Sequence, residues 1–291
     1  MLVTGCRGQL GSQIMNILQK GVSELGEIPK QYKDIEFIGT DSDELDIVDL
    51  QRLKEYMKEL KPDIVINSAA YTNVDECEKN KDLAFKVNSL GPRNLAIACE
   101  EVGAKFIHIS TDYVFEGNGK LPYTEYDITN PISVYGKTKL LGENFVRDFC
   151  SKYFIIRTAW LYGYNGKNFV KTILKAAKEK GHLDVVDDQR GNPTNAEDLA
   201  HHILKLGLTE EYGVYHCTGS GECSWYDFAK TIVEYAGIEC VVNPITSDKI
   251  NRAAKRPAFS SLDNMMIRCT IGDEMREWRE ALLLYVKNIL I

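Results

Sequence analysis

Tyr135 and Lys139 stand one helical turn apart and follow an apolar run that ends in Ser110-Thr111-Asp112-Tyr113. A phenol alone titrates near roughly pH 10 and is a sluggish acid at neutral pH. An ammonium beside it favours the phenolate and lowers that pKa, and a nearby hydroxyl orients a substrate oxygen. The i, i+4 spacing puts Tyr135 and Lys139 on one helix face. Such a group can protonate a carbonyl oxygen while a nicotinamide delivers hydride. Tyr226 and Lys230 repeat the spacing, so context has to decide between the two pairs.

The first context is a glycine-rich loop. Val3-Thr4-Gly5-Cys6-Arg7-Gly8-Gln9-Leu10-Gly11-Ser12 spaces its glycines GxxGxxG between a strand-like run and a helical one. Gly5 suits a tight turn, Gly8 close approach to a pyrophosphate and Gly11 close helix–strand packing. With Gln9 and Leu10, they open a helix whose free N–H groups attract an anion. An unliganded turn is the bland alternative, disfavoured by the place of the loop in the first βα unit. The next strand ends at Asp41, which can accept both ribose hydroxyls of an adenosine and repel a 2′-phosphate. NADH is therefore favoured, with Arg7 leaving NADPH possible. Asp46 and Ile47 fall where such folds contact adenine, although a helix-capping role beside Asp49 fits equally. Ser68, Ala69, Ala70 and Tyr71 supply mostly small residues where a cofactor lies along the backbone.

These motifs need a scaffold. Leu2–Thr4, 36–39, 63–67, 105–109 and 154–157 read as strands, several apolar on consecutive positions as parallel strands are. Helical spacing occupies 12–20, 49–60, 82–102 and 134–149. The alternation predicts an α/β, doubly wound parallel sheet of the Rossmann type. A dinucleotide-binding domain is expected over 1–160, with return strands within 183–220. Residues 161–291 are expected to form mainly a smaller substrate-binding cap.

The net charge of −7 argues against nucleic acid as a partner. No apolar run is long enough for a bilayer, and the chain enters its glycine loop without the charged leader and apolar core of a signal peptide. Eight scattered cysteines with no C-x-x-C fit reduced thiols and a cytoplasmic location. His201 and His202, adjacent on a helix, make a poor metal pair, and no metal is expected.

Taken together, the GxxGQLG loop, Asn67-Ser68-Ala69-Ala70-Tyr71-Thr72-Asn73-Val74-Asp75, STDYVF at 110–115 and YGKTK at 135–139 resemble the extended short-chain dehydrogenases. Within that superfamily they are similar to the dTDP-4-dehydrorhamnose reductase family. Further matches are Arg157-Thr158-Ala159-Trp160, the 188–194 segment and Arg256-Pro257 with Ser260-Ser261-Leu262.

The resemblance implies reduction of dTDP-4-dehydro-L-rhamnose, with Tyr135 as proton donor, Lys139 on the nicotinamide ribose and Thr111 on the sugar carbonyl. It implies a sugar pocket of Val74, Asp112, Tyr113 and Trp160, the last equally readable as core. Asn168 and Arg256 are candidates for the diphosphate or nucleoside, and Asn88 for support of the cofactor site. Gln13 replaces a glutamate suited to a metal-bridged dimer and leaves Glu197 as one ligand, so a monomer or homodimer is open. Tyr113, where a dehydratase carries a carboxylate base, disfavours dehydration. An epimerase and a regulatory subunit like that of methionine adenosyltransferase stay as alternatives.

Overall fold

The apolar runs pair into a six-stranded, wholly parallel sheet. Edge to edge, its strands are Gly213–His216, Tyr153–Thr158, Lys105–Thr111, Ile64–Asn67, Leu2–Thr4 and Ile38–Thr40. The structure is a computed structural model that describes residues 1–290.

Alternate strand residues face opposite ways. Val3, Ile66, Ile107 and Ile156 meet the helices Gln9–Lys20 and Ala196–Gly207. Leu2, Val65, Phe106 and Ile155 meet Leu50–Leu60, Gly91–Val102 and Val134–Phe149. The sheet is thus covered on both faces and doubly wound. From Leu2–Thr4 the chain moves outward to Ile38–Thr40, then crosses back to Ile64–Asn67. That reversal opens a crevice at the carboxyl ends of Leu2–Thr4 and Ile64–Asn67, the usual ligand position in such sheets.

Two expectations need correction. Of the 183–220 segment, Gly213–His216 returns to the sheet, but His182–Val186 pairs instead with Val241–Ile245 outside it. Around that second pair the helices Phe169–Lys180, Trp225–Tyr235 and Trp278–Leu290 bury a separate cluster that includes Phe228, Trp278 and Tyr285. The helix read over 82–102 is interrupted by a π-turn, Lys86–Leu90. Pro92 explains it: without an N–H it cannot bond the carbonyl of Asn88, and its ring crowds that carbonyl.

All eight cysteines are free thiols, and no helix among the described residues is long and apolar enough to cross a membrane.

Candidate active site

Three elements converge at the crevice. Gly5 turns the chain out of the first strand at φ +70°, and a Cβ on Gly11 would sit 2.2 Å from the Gly5 carbonyl oxygen, so only glycine lets helix and turn approach this closely. The helix Gln9–Lys20 begins at Gly8 with no side-chain cap and no acidic residue in its first turn. Its first N–H groups and dipole are therefore free for a phosphate. These features fit a pyrophosphate-bearing dinucleotide.

The second element is the end of Lys105–Thr111. Thr111 Oγ1 donates to Asp112 Oδ1 at 2.9 Å and accepts the Tyr113 N–H at 3.2 Å. Burial pushes the Asp112 carboxyl up to about 6, and its Oδ2 has no protein partner. The third element is Val134–Phe149, whose start is fixed by Ser133 Oγ accepting the Gly136 N–H at 3.1 Å. It carries Tyr135 and Lys139 inward, both buried, with the Tyr113 ring edge-on to Tyr135 at 5.5 Å.

Together Thr111, Asp112, Tyr113, Tyr135, Lys139 and Trp160 line one cavity of about 520 Å³, which also reaches Gly8, Gln9, Leu10, Ser68, Ala70 and Val74. Thr158 Oγ1, also lining it, has no protein partner. Tyr226 and Lys230 lie outside, the ammonium 6.0 Å above the phenol ring. Trp160 answers to both of its readings: it lines the cavity and stacks on Trp225 at 3.6 Å, on a backbone held at φ +46°. A non-glycine residue in that region stores strain that packing must overcome.

The electrostatics differ from expectation. Lys139 Nζ donates to the Ile109 carbonyl at 2.6 Å and faces His108 Nε2 at 3.5 Å, and the Tyr135 phenol is not among its hydrogen-bond partners. Burial pushes the Tyr135 pKa up, a Thr111 hydrogen bond opposing it only in part. Burial also lowers Lys139 to about 8, against the pull of Glu143. Desolvation outweighs the expected phenolate stabilisation.

Several residues are used otherwise than the sequence suggests. Asn168 caps Phe169–Lys180, and its amide nitrogen is taken up by Gln9 Oε1, the Gly163 carbonyl and the Tyr285 hydroxyl at 3.1, 2.8 and 3.2 Å. It has nothing left for a diphosphate. Asn88 is fully buried and grips the Tyr71 backbone through both amide ends, at 2.8 and 3.0 Å, so it supports the Ser68–Tyr71 segment without reaching the cavity. Asp46 accepts the Val48 N–H at 2.9 Å while Asp49 caps Leu50–Leu60, and Ile47 is buried against Gly91. Ala69 presses its backbone against Gly5. Gln13 donates to Glu197, and no cluster of three or more potential metal ligands occurs among the described residues.

Arg256 is not in the Tyr135 cavity. It forms a bidentate pair with Asp75, at 2.6 and 3.2 Å, in an adjoining cavity of about 420 Å³. Its guanidinium holds the Asp75 carboxyl down to about 2. Tyr113 and Trp225 border both cavities, and Arg252 lines the second without an ion-pair partner among the described residues. Sequence reading missed Trp225 and Arg252. The signal for Arg252 was a second arginine four residues before Arg256 in an otherwise acidic chain.

Asp41 sits at the end of Ile38–Thr40, accepting the Arg7 N–H at 2.9 Å. The exposed Arg7 guanidinium pairs with Asp43 and Glu44 at 2.9 and 3.0 Å.

The chain is similar along its whole length to several known proteins. The spore coat polysaccharide biosynthesis protein SpsK of Bacillus subtilis is 40% identical, covering 99% of this chain and 97% of its own. A dTDP-4-dehydrorhamnose reductase of Clostridium acetobutylicum, solved as a crystal structure, is 48% identical over 100% of this chain and 99% of its own, with a TM-score of 0.94. That of Bacillus anthracis, solved in complex with NADP, is 40% identical over 99% and 98%, with a TM-score of 0.91. The model for the RmlD substrate binding domain matches residues 1–291, and with relatives this similar along the whole chain, the protein belongs to that family.

Proposed function

We propose that this chain is a cytoplasmic NAD(P)H-dependent reductase that converts dTDP-4-dehydro-L-rhamnose to dTDP-L-rhamnose. Family membership and relatives named as dTDP-4-dehydrorhamnose reductases support an oxidoreductase acting on a nucleotide sugar. The observation that carries the reading is the shared cavity of Thr111, Tyr135 and Lys139 beside an uncapped helix N-terminus.

The reduced nicotinamide, when bound, supplies the hydride for sugar C4. The protein's part is to hold the sugar and move a proton. Thr111 Oγ1 orients the C4 oxygen and Tyr135 gives it the phenolic proton. Burial keeps Tyr135 protonated, as a donor must be before turnover. The phenolate left behind needs a cation near it, which is the task of Lys139 in its ammonium form. With Lys139 titrating at about 8, the ammonium is present below that value, so turnover falls as pH rises through it. In the adjoining cavity Arg252, unlike the paired Arg256, has its charge free for the diphosphate.

The test is NADH and NADPH consumption with a panel of nucleotide 4-keto sugars. Turnover should be highest with dTDP-4-dehydro-L-rhamnose. A preference for another base or sugar would replace the substrate, and no turnover with any of them would overturn the reading.

NADH is favoured because the Asp41 carboxylate at the end of Ile38–Thr40 would repel a 2′-phosphate, and the Arg7 guanidinium is already paired with Asp43 and Glu44. Asp41→Ala should raise the NADPH/NADH ratio of kcat/KM roughly tenfold, the effect of removing one like-charge contact. An unchanged ratio refutes that role for the carboxylate.

A further inference from the structure

Lys139 is met from the sheet side by a chain of buried side chains that the reaction scheme does not use. Thr4 Oγ1 donates to Asn67 Oδ1 at 2.8 Å, Asn67 Nδ2 lies 3.1 Å from His108 Nδ1, and His108 Nε2 lies 3.5 Å from Lys139 Nζ. The direction of this chain follows from one backbone group. The Ala69 N–H, which can only donate, bonds Asn67 Oδ1 at 3.1 Å. Oδ1 is therefore the acceptor end of the amide, and the end facing His108 is the NH₂ group. An NH₂ facing Nδ1 requires an unprotonated Nδ1, so the neutral imidazole carries its proton on Nε2. Burial and the nearby Lys139 both disfavour a doubly protonated ring.

The Nε2–H then points at Lys139. An ammonium has no lone pair to accept it and faces an N–H dipole of the wrong sign. The neutral amine accepts from His108 while still donating to the Ile109 carbonyl. We propose that His108 is a positioning residue: Asn67 locks it in the Nε2–H tautomer, and it thereby disfavours the charged form of Lys139. This deepens the reductase reading and rests on it for its catalytic meaning.

Other groups around the helix set the balance. Glu143, one turn beyond Lys139, favours the ammonium, but it is bound by Arg157 from the neighbouring strand, by Arg147 and by Ser110. Asp112 and Tyr113 face Tyr135 from the end of the Lys105–Thr111 strand. Cys77 of the short helix Val74–Lys79 faces the same phenol, and Glu78 of that short helix accepts the Val134 N–H at 2.8 Å. The π-turn contributes only the uncharged Asn88 and Ser89, bonded to Thr138. Among the described residues, His108 is thus the one group on the sheet side whose hydrogen-bond polarity opposes the ammonium.

The experiment has two arms. The full chain, labelled with ¹⁵N-histidine and without sugar substrate, is examined by long-range ¹H–¹⁵N NMR, with His108 assigned by its loss in His108→Gln. The expected spectrum shows neutral His108 protonated on Nε2 from pH 6 to 9; a proton on Nδ1, or on both nitrogens, overturns the proposal. In the second arm, Lys139 is titrated through ¹³Cε-lysine, assigned by Lys139→Arg, alongside the alkaline limb of kcat. Glutamine can keep the acceptor-then-donor order of the imidazole, so His108→Gln should retain both values. His108→Leu removes the donor and should move both upward by about one pH unit.

A shared shift in both variants, or none in leucine, refutes the role. If leucine does not fold, His108→Met carries the same expectation. Absence of turnover with every sugar would remove the reductase reading alone, because the tautomer and the lysine titration are read without substrate.

Discussion

Tyr135→Phe is expected to lower kcat for dTDP-4-dehydro-L-rhamnose by about 10²–10⁴-fold, the usual worth of a positioned general acid. The change deletes one hydroxyl and keeps the ring, which packs with Cys77 and Ala84 and edge-on to Tyr113. Folding and the phosphate loop should therefore be untouched, and NADH should bind as before by fluorescence titration. The loss should appear in kcat and in kcat/KM alike, because the proton is donated in the transition state. Tyr113 is the nearest alternative phenol, so Tyr135→Phe/Tyr113→Phe tests whether residual turnover runs through it. Near-normal kcat in the double variant would mean that neither Tyr135 nor Tyr113 protonates the sugar oxygen.

What could be read in advance divides by distance along the chain. The strands were visible because parallel strands buried on both faces are apolar on consecutive residues, and the glycine loop because its spacing is local. The Tyr135 helix was legible for the same reason, with Ser133 as its cap. Long-range partners were not. Nothing near Asn168 reveals that Gln9 and Tyr285 consume its amide, nor does the Arg256 segment reveal Asp75. The Trp160–Trp225 stack joins two segments that share no local pattern.

The Tyr135 and Lys139 titrations differ from the sequence-based expectation for a related cause. Spacing shows that two groups share a helix face, but the cost of burial depends on everything packed around that face. The His108 tautomer lies further out of reach, since it is fixed by a backbone N–H two residues beyond Asn67. Even the π-turn had a local sign in Pro92, readable only once Asn88 is known to need its amide turned towards Tyr71.

The second large effect concerns the support beneath Lys139. Arg157 and Glu143 are 2% and 0% exposed and form a bidentate pair, Nε to Oε1 at 3.0 Å and Nη2 to Oε2 at 2.7 Å. Ser110 Oγ completes the carboxylate at 2.6 Å, and the guanidinium lies 5.2 Å from the Phe115 ring centre. Arg157→Met should destabilise the fold by about 3–5 kcal/mol, because Glu143 keeps its desolvation penalty and loses its main counter-charge. The double variant Arg157→Met/Glu143→Leu removes both charges from the interior. It should be clearly more stable than the single one, since a buried pair contributes little net stability although half of it costs much. Urea unfolding of wild type, Arg157→Met, Glu143→Leu and the double variant reads this order directly. A double variant as unstable as the sum of the two singles would mean that the pair acts through packing and not through charge. The same comparison separates stability from chemistry: with Glu143 gone, the ammonium form of Lys139 loses its electrostatic support. The alkaline limb of Glu143→Leu should therefore fall below that of wild type, opposite in direction to the shift in His108→Leu.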